Sequence, residues 1–261
     1  MNTLTVTLIQ TSLYWQDKNA NLLMLEEKIN KIDERTELII LPEMFTTGFS
    51  MQPALFAETM EGETIAWMRK ISKQKNAILC GSMIAEEDNK YYNRLIWMLP
   101  NGQFGFYNKR HLFGFAGEDE HYTAGNKRLI GKIRDWKINL QVCYDLRFPV
   151  WARQANADEY DVLVYVANWP EKRNTAWKAL LQARAIENQS FVIGVNRVGN
   201  DGNNFYHSGD SMIIGPQGEI IYTKAHDEDV FTYTLQKQQL QETRKHLPFL
   251  KDADTFGIYN D

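Results

Sequence analysis

The sequence predicts an α/β protein, and three observations carry that prediction. Short unbroken apolar runs, Leu38-Ile39-Ile40-Leu41 among them, read as strands covered on both faces. Between such runs apolar residues recur at helical spacing, as in Leu22, Leu25, Ile29 and Ile32 with charged residues between them. A glycine- and proline-bearing turn, Gly215-Pro216-Gln217-Gly218, joins two further strand-like runs as a hairpin. With 261 residues and no Gly/Ser/Pro-rich linker, low-complexity stretch or tandem repeat, 1–261 reads as a single domain.

Taken in order, 1–8 alternates Thr with Leu and Val and reads as a strand; it lacks the basic start and long apolar stretch of a signal peptide. An amphipathic helix follows over 21–32. The strand 38–41 stops at Pro42, which cannot donate to a sheet ladder, and this sets Glu43 at the strand's carboxyl end. A second helix is expected over 63–74, with Ile65, Met68 and Ile71 inward, then a strand over 77–84 whose Cys80 reads as buried and inert. Strands at 91–99 and 104–108 flank the turn Pro100-Asn101-Gly102-Gln103, and the second leads to Lys109. The loop 110–125 has a length that compact domains reserve for function or leave disordered; its His111, Phe113, Phe115 and Tyr122 argue for order. An alternating run over 138–142 stops at Cys143, and Pro149 introduces a helix-like 150–154. A strand over 161–167 ends at Asn168-Trp169-Pro170, and a helix over 175–189 sets Trp177, Leu180 and Ala183 on one face. A strand at 191–196, hairpin strands at 211–214 and 219–222, a strand at 230–235 and a helix at 236–245 complete the chain.

Composition narrows the function classes. The balance of 29 basic against 33 acidic residues, with no basic run, argues against a nucleic-acid partner. No apolar run approaches the ~20 residues a membrane span needs. The 2 cysteines form no CxxC pair, so neither a disulfide framework nor a thiolate metal site is expected, and a free reactive thiol suits a cytoplasmic protein. No metal-ligand spacing of histidines and no glycine-rich phosphate loop is present.

What remains is a regularity: four apolar strands end at residues capable of chemistry, Glu43, Lys109, Cys143 and Asn168-Trp169. Ligands of α/β sheets bind beyond the carboxyl ends of the strands, and strands laid side by side would gather a carboxylate, an ammonium and a thiol. A thiol with a pKa of about 8.5 is mostly protonated at neutral pH. Glu43 is placed to take its proton, and Lys109 with the Tyr144 N–H to stabilise charge on the attacked atom. Each residue has a blander reading: most free cysteines are small buried hydrophobes, and a lone Glu or Lys after a strand is usually solvated. A Cys-His hydrolase using His111 or His207 is a rival on chemistry alone.

Three segments then match a known family. Leu41-Pro42-Glu43-Met44-Phe45, Asn108-Lys109-Arg110-His111-Leu112-Phe113 and Val142-Cys143-Tyr144-Asp145-Leu146-Arg147-Phe148-Pro149 resemble, in order and spacing, the signature segments of the nitrilase/carbon–nitrogen hydrolase superfamily. Further matches run through Ala183-Arg184-Ala185-Ile186-Glu187-Asn188-Gln189, Asn196-Arg197 and Gly209-Asp210-Ser211. The resemblance covers nearly the whole chain and is nearest the omega-amidase branch. It implies a four-layer α-β-β-α sandwich, a homodimer, and hydrolysis without cofactor or metal. It also implies Cys143 as nucleophile, Glu43 as general base and acid, Lys109 as oxyanion stabiliser, and a second glutamate on the following loop. That loop offers Glu118, Asp119 and Glu120, and Gly117 with the downstream Gly125 favours Glu118. Nitrile or N-carbamoyl hydrolysis by the same triad is the alternative chemistry. Substrates of the omega-amidase branch are small amides with a distant carboxylate, so a cation is expected, and Arg173 is the candidate. Trp169, Phe45 and Phe115 are expected to wall the pocket.

Overall fold

The structure is a computed structural model that describes residues 2–154 and 159–258. Its strands are β1 (Thr3–Gln10), β2 (Leu38–Ile40), β3 (Ile78–Glu87), β4 (Lys90–Met98), β5 (Phe104–Asn108), β6 (Leu129–Ile133) and β7 (Trp136–Val142). They continue with β8 (Val162–Ala167), β9 (Phe191–Asn196), β10 (Val198–Asn200), β11 (Tyr206–Ile214), β12 (Ile220–Ala225) and β13 (Asp229–Gln236). The helices are α1 (Lys18–Asn30), α2 (Pro53–Phe56), α3 (Glu63–Lys75), α4 (Glu118–His121), α5 (Pro149–Ala152), α6 (Asn174–Asn188) and α7 (Lys237–His246).

The strands form two sheets, one ordered β13-β1-β2-β3-β4-β5 and the other β10-β11-β9-β8-β7-β6, with β12 paired to β11. Side-chain alternation decides what each face meets. Leu38 and Ile40 of β2 join Val6 and Leu8, and pack with Leu140, Val142 and Val164 of the other sheet in the core between the two. Ile39 points the other way, into a second core with Leu25 and Ile29 of α1 and Ile65, Met68 and Ile71 of α3. On the far side Trp177, Leu181 and Ala185 of α6 cover β9 and β11. The result is the α-β-β-α sandwich. Each fully buried Leu or Ile in it is worth roughly 1.5–3 kcal/mol.

Two local features depart from the sequence reading for identifiable reasons. Helix α1 begins earlier than its apolar pattern because Asp17 caps it, accepting from the Ala20 N–H at 3.0 Å. Strand β6 carries no strong alternation, and its Gly131 is needed where the strand passes over an indole: a Cβ there would lie 2.6 Å from Trp97 Cε2. The helix-like 150–154 is only the single turn α5. The first strand runs over Thr3–Gln10; Met1 lies outside the described residues.

Candidate active site

The chemistry-bearing strand ends do meet, but across two facing sheets rather than along one. Glu43 follows β2 and Lys109 follows β5 of the first sheet, while Cys143 follows β7 and Asn168 follows β8 of the second. Strands β2 and β5 exit toward the same end because one antiparallel strand, β4, lies between β3 and β5. The parallel pair β7 and β8 likewise delivers both its residues together.

The local backbone at two of these ends is unusual. Cys143 has φ 44° and Met44, next to Glu43, has φ 43°, both in the left-handed region that side chains other than glycine seldom occupy. Such conformations cost of order 1–3 kcal/mol and persist only where the surroundings over-determine them. Here they are held. Met44 N–H donates to Ser82 Oγ at 2.8 Å and Phe45 N–H to Ser82 O at 3.0 Å. Past Cys143, the buried Asp145 carboxylate accepts from Val142 N–H at 3.0 Å, Tyr107 Oη at 2.7 Å and His111 N–H at 3.0 Å. Since Tyr107 and His111 flank Lys109, Asp145 fastens the thiol-bearing turn to the lysine-bearing strand on the opposite sheet. A second tie joins Asn168 to Glu43, with its N–H 2.7 Å from Oε2 and its Nδ2 2.6 Å from the Glu43 carbonyl. The far end of the loop is pinned too: Gly125 N–H donates to Lys109 O at 2.9 Å, and a Cβ on Gly125 would collide with the Asn108 carbonyl oxygen.

Within this frame the Lys109 ammonium lies 3.0 Å from Glu43 Oε1 and 2.9 and 2.8 Å from the two Glu118 oxygens. Of the three acidic residues on the loop, Glu118 is the one at the lysine; Asp119 and Glu120 are exposed. Helix α4 and the Phe113 N–H, 2.6 Å from Glu118 Oε2, hold that carboxylate in place. Burial alone would lower the Lys109 pKa, but Glu118 and Glu43 outweigh it and raise it, so the ammonium stays charged. The pKa of the Cys143 thiol is pushed well up, first by burial and then by the nearby Glu43 charge, with Lys109 opposing. Two carboxylates against one ammonium leave the cluster short of positive charge, so a resting thiolate is disfavoured. The arrangement suits proton transfer to Glu43 as the sulfur attacks.

Asn93 is a member that the sequence reading missed. Its Nδ2 donates to Glu43 Oε1 at 2.8 Å and to Glu118 Oε1 at 3.2 Å, tethering the two carboxylates to each other. Hydrogen bonds to charged groups are worth about 1.5–3 kcal/mol, so Asn93→Ala is expected to lower kcat about 10- to 100-fold. Asn93→Asp, which adds a third buried carboxylate, should be more damaging still. Steady-state kinetics check this, and an Asp variant as active as the parent would refute the tether.

Cys143 is 9% exposed, and it opens into a cavity of ≈ 440 Å³. Tyr144, Trp169, Arg173 and Phe115 line that cavity as expected, Phe115 at the rim and 90% exposed. Phe45 does not. It is fully buried on the helix side of the first sheet with its ring 6.0 Å from Trp67, because one step past Met44 the chain has turned back into the α1–α3 core. The wall in that region is Phe49, whose ring lies 5.2 Å from Lys109 Nζ. Arg147 joins Lys109 and Arg173 as a cavity cation, one that the sequence reading passed over. The two histidines weighed as bases are engaged elsewhere. His111 Nδ1 lies 2.8 Å from Asp145 and its ring stacks on Phe148. His207 lines the cavity, but its Nδ1 faces the Phe205 and Gly199 carbonyls, and burial with the Arg197 charge pushes its pKa down to about 4. Cys80 is buried in mid-sheet, where burial raises its pKa out of the reactive range.

Comparison with known proteins gives this geometry its class. The family model for carbon–nitrogen hydrolases matches residues 5–245. The chain is 45% identical to omega-amidase YafV of Escherichia coli (strain K12) over 98% of its own length and 99% of that protein's. It is 30% identical to 2-oxoglutaramate amidase of Bacillus subtilis (strain 168), covering 95% and 96% of the two chains. Among solved structures, XC1258 from Xanthomonas campestris, a CN-hydrolase superfamily protein with an arsenic adduct in its active site, superposes with a TM-score of 0.96. That match has 40% identity and covers 99% of this chain and 100% of the other. The chain belongs to the carbon–nitrogen hydrolase family. It is a hydrolase of carbon–nitrogen bonds other than peptide bonds. No helix among the described residues is long and apolar enough to cross a membrane.

Proposed function

We propose that this protein is an omega-amidase: it cleaves the terminal amide of a small carboxylated amide, of the 2-oxoglutaramate or 2-oxosuccinamate type, to the acid and ammonia. The observation that carries the reading is a thiol that lines a cavity beside a buried carboxylate, which in turn holds a buried ammonium. In the first half-reaction Glu43 takes the Cys143 proton as the sulfur bonds to the amide carbon. Lys109 and the Tyr144 N–H stabilise the tetrahedral oxyanion. Glu43 then returns that proton to the nitrogen, the carbon–nitrogen bond breaks, and ammonia leaves a thioester on Cys143. In the second half-reaction Glu43 takes a proton from water, the hydroxide adds to the thioester carbon, and the carbon–sulfur bond breaks. The sulfur regains the proton from Glu43. Glu118 keeps Lys109 oriented throughout. Arg173 receives the distal carboxylate, and Trp169 and Phe115 wall the space between.

The likeness to YafV and to a 2-oxoglutaramate amidase supports the amide over the nitrile and N-carbamoyl alternatives. Ammonia release from 2-oxoglutaramate, 2-oxosuccinamate, the matching nitriles and N-carbamoyl amino acids is the test. The amides are expected to lead in kcat/KM by at least about 100-fold, some 2.7 kcal/mol of transition-state preference. A nitrile or ureido acid in first place would overturn the assignment.

A further inference from the structure

The cations lining the cavity fall into two kinds, one paired with carboxylates and two that are not. Beside Cys143, the cation that Glu43 and Glu118 hold among the described residues is Lys109. Arg147 and Arg173 also line the cavity, and among the described residues neither guanidinium has a carboxylate partner or a hydrogen-bond acceptor in the protein. Instead each lies over an aromatic ring. The Arg147 Cζ is 5.0 Å from the Trp169 ring centroid, and the Arg173 Cζ is 5.1 Å from that of Phe113. Stacking fixes the plane of a guanidinium while leaving its N–H edges open. The two groups also feel each other: burial, and the charge of Arg147, lower the Arg173 pKa, with Cys143 opposing.

One acidic side chain lines the cavity among the described residues, Asp201, and it is already occupied. Its Oδ1 accepts from the N–H of Asn203 at 2.8 Å and of Phe205 at 2.9 Å, and it faces the charge of Arg197. Asp201 is thus held by backbone donors, and it forms no ion pair with Arg147 or Arg173 among the described residues. Unpaired guanidinium groups held by packing in a half-closed pocket are a preformed anion site, since the ligand then supplies the missing acceptors.

We propose that Arg147 and Arg173 form a two-guanidinium clamp on the distal carboxylate of the substrate, and that this clamp makes the site take amine-free acid amides and reject amino-acid amides such as glutamine. The proposal rests on the amidase reading above and adds its selection rule. Arg147 comes from the same rigid turn as Cys143, spanning Cys143–Arg147, so the anion subsite and the nucleophile are fixed to one element. Two arginines can satisfy both carboxylate oxygens and still present N–H groups to an adjacent carbonyl oxygen. An ammonium at that carbon would meet two like charges instead.

The test compares 2-oxoglutaramate, glutamine and pentanamide as substrates of the parent protein and of Arg147→Gln and Arg173→Gln. The parent should prefer 2-oxoglutaramate to both others. In Arg147→Gln the kcat/KM ratio of 2-oxoglutaramate to pentanamide should fall about 10- to 100-fold, chiefly through KM, because one charged partner of the carboxylate is gone. A purely structural Arg147 would lower both substrates together and leave the ratio unmoved, and that result overturns the clamp. If Arg147→Gln does not fold, Arg147→Lys decides: it keeps the charge but loses the fork, so the ratio should drop about 3- to 10-fold, and an unchanged ratio counts against the proposal. A parent that prefers pentanamide or a nitrile refutes the amidase reading itself. A parent that prefers 2-oxoglutaramate, with a preference that survives both Gln variants, refutes the clamp alone.

Discussion

Lys109→Met is expected to cost about 3–5 kcal/mol of folding stability at pH 8, and less at pH 5. The ammonium is the only cation hydrogen-bonded to Glu43 and Glu118 among the described residues, and all three side chains are fully buried. Removing it leaves two carboxylates facing each other out of water. The pH dependence follows from Glu118. Burial already raises its pKa in the folded protein, against the opposing charge of Lys109, and it is raised further once that charge is gone. A carboxyl raised above its unfolded value contributes stability at low pH and loses it as pH climbs through the folded value. The gap between variant and parent should therefore widen from pH 5 to pH 8. Lys109→Met/Glu118→Gln should recover most of the loss, since Glu43 keeps the donors of Asn93 and Asn168. Urea denaturation at the two pH values measures this, and a single variant as stable as the parent at pH 8 would show that the ammonium does not compensate the pair. Its turnover should also fall about 100- to 1000-fold with the loss of the proposed oxyanion donor.

Cys143→Ala should abolish turnover by about 10⁴- to 10⁶-fold while leaving the fold intact. In the covalent route proposed above Cys143 is irreplaceable, whereas its small side chain contributes little buried area. Its left-handed φ is imposed by neighbours that the substitution does not touch, chiefly Asp145 bonded to Val142, Tyr107 and His111. Alanine should thus cost no more than about 1–2 kcal/mol of stability, the range for trimming a small core side chain. A folded Ala variant that retained ammonia release within 100-fold of the parent would mean that the sulfur is a bystander.

Much of this was legible in the chain itself, and the reason is local. Strand ends announce themselves where an apolar run meets a proline or a polar turn, so Glu43, Lys109 and Cys143 could be singled out from 38–43, 104–109 and 138–143. Their relation across two sheets could not, because alternation reveals which residues are buried but not which of two sheets a strand joins. Phe45 shows the same gap: an aromatic two residues past Glu43 points to the cavity or to the helix layer according to a single backbone turn, here at Met44. Asn93 was invisible because it sits mid-strand in β4, a place where a polar residue carries no turn or cap signal. Arg147 went unremarked within the motif that carries Cys143, and only its stacking on Trp169 and lack of an acidic partner distinguish it. Glu118 could not be separated from Glu120 on the sequence alone, although Gly117 and Gly125 favoured it; its place at the lysine depends on where the loop turns, at Gly117, and where it is pinned, at Gly125.

The measurement that bears most directly on the account is rapid-quench mass spectrometry of the protein during turnover of 2-oxoglutaramate. The peptide containing Cys143 should carry the mass of the acyl group, bound as a hydroxylamine-labile thioester that disappears as substrate is exhausted. Ammonia should appear in a burst matching that adduct if water attack limits the cycle. Full ammonia release with Cys143 unmodified at every quench time, or with the acyl group on another residue, would contradict it.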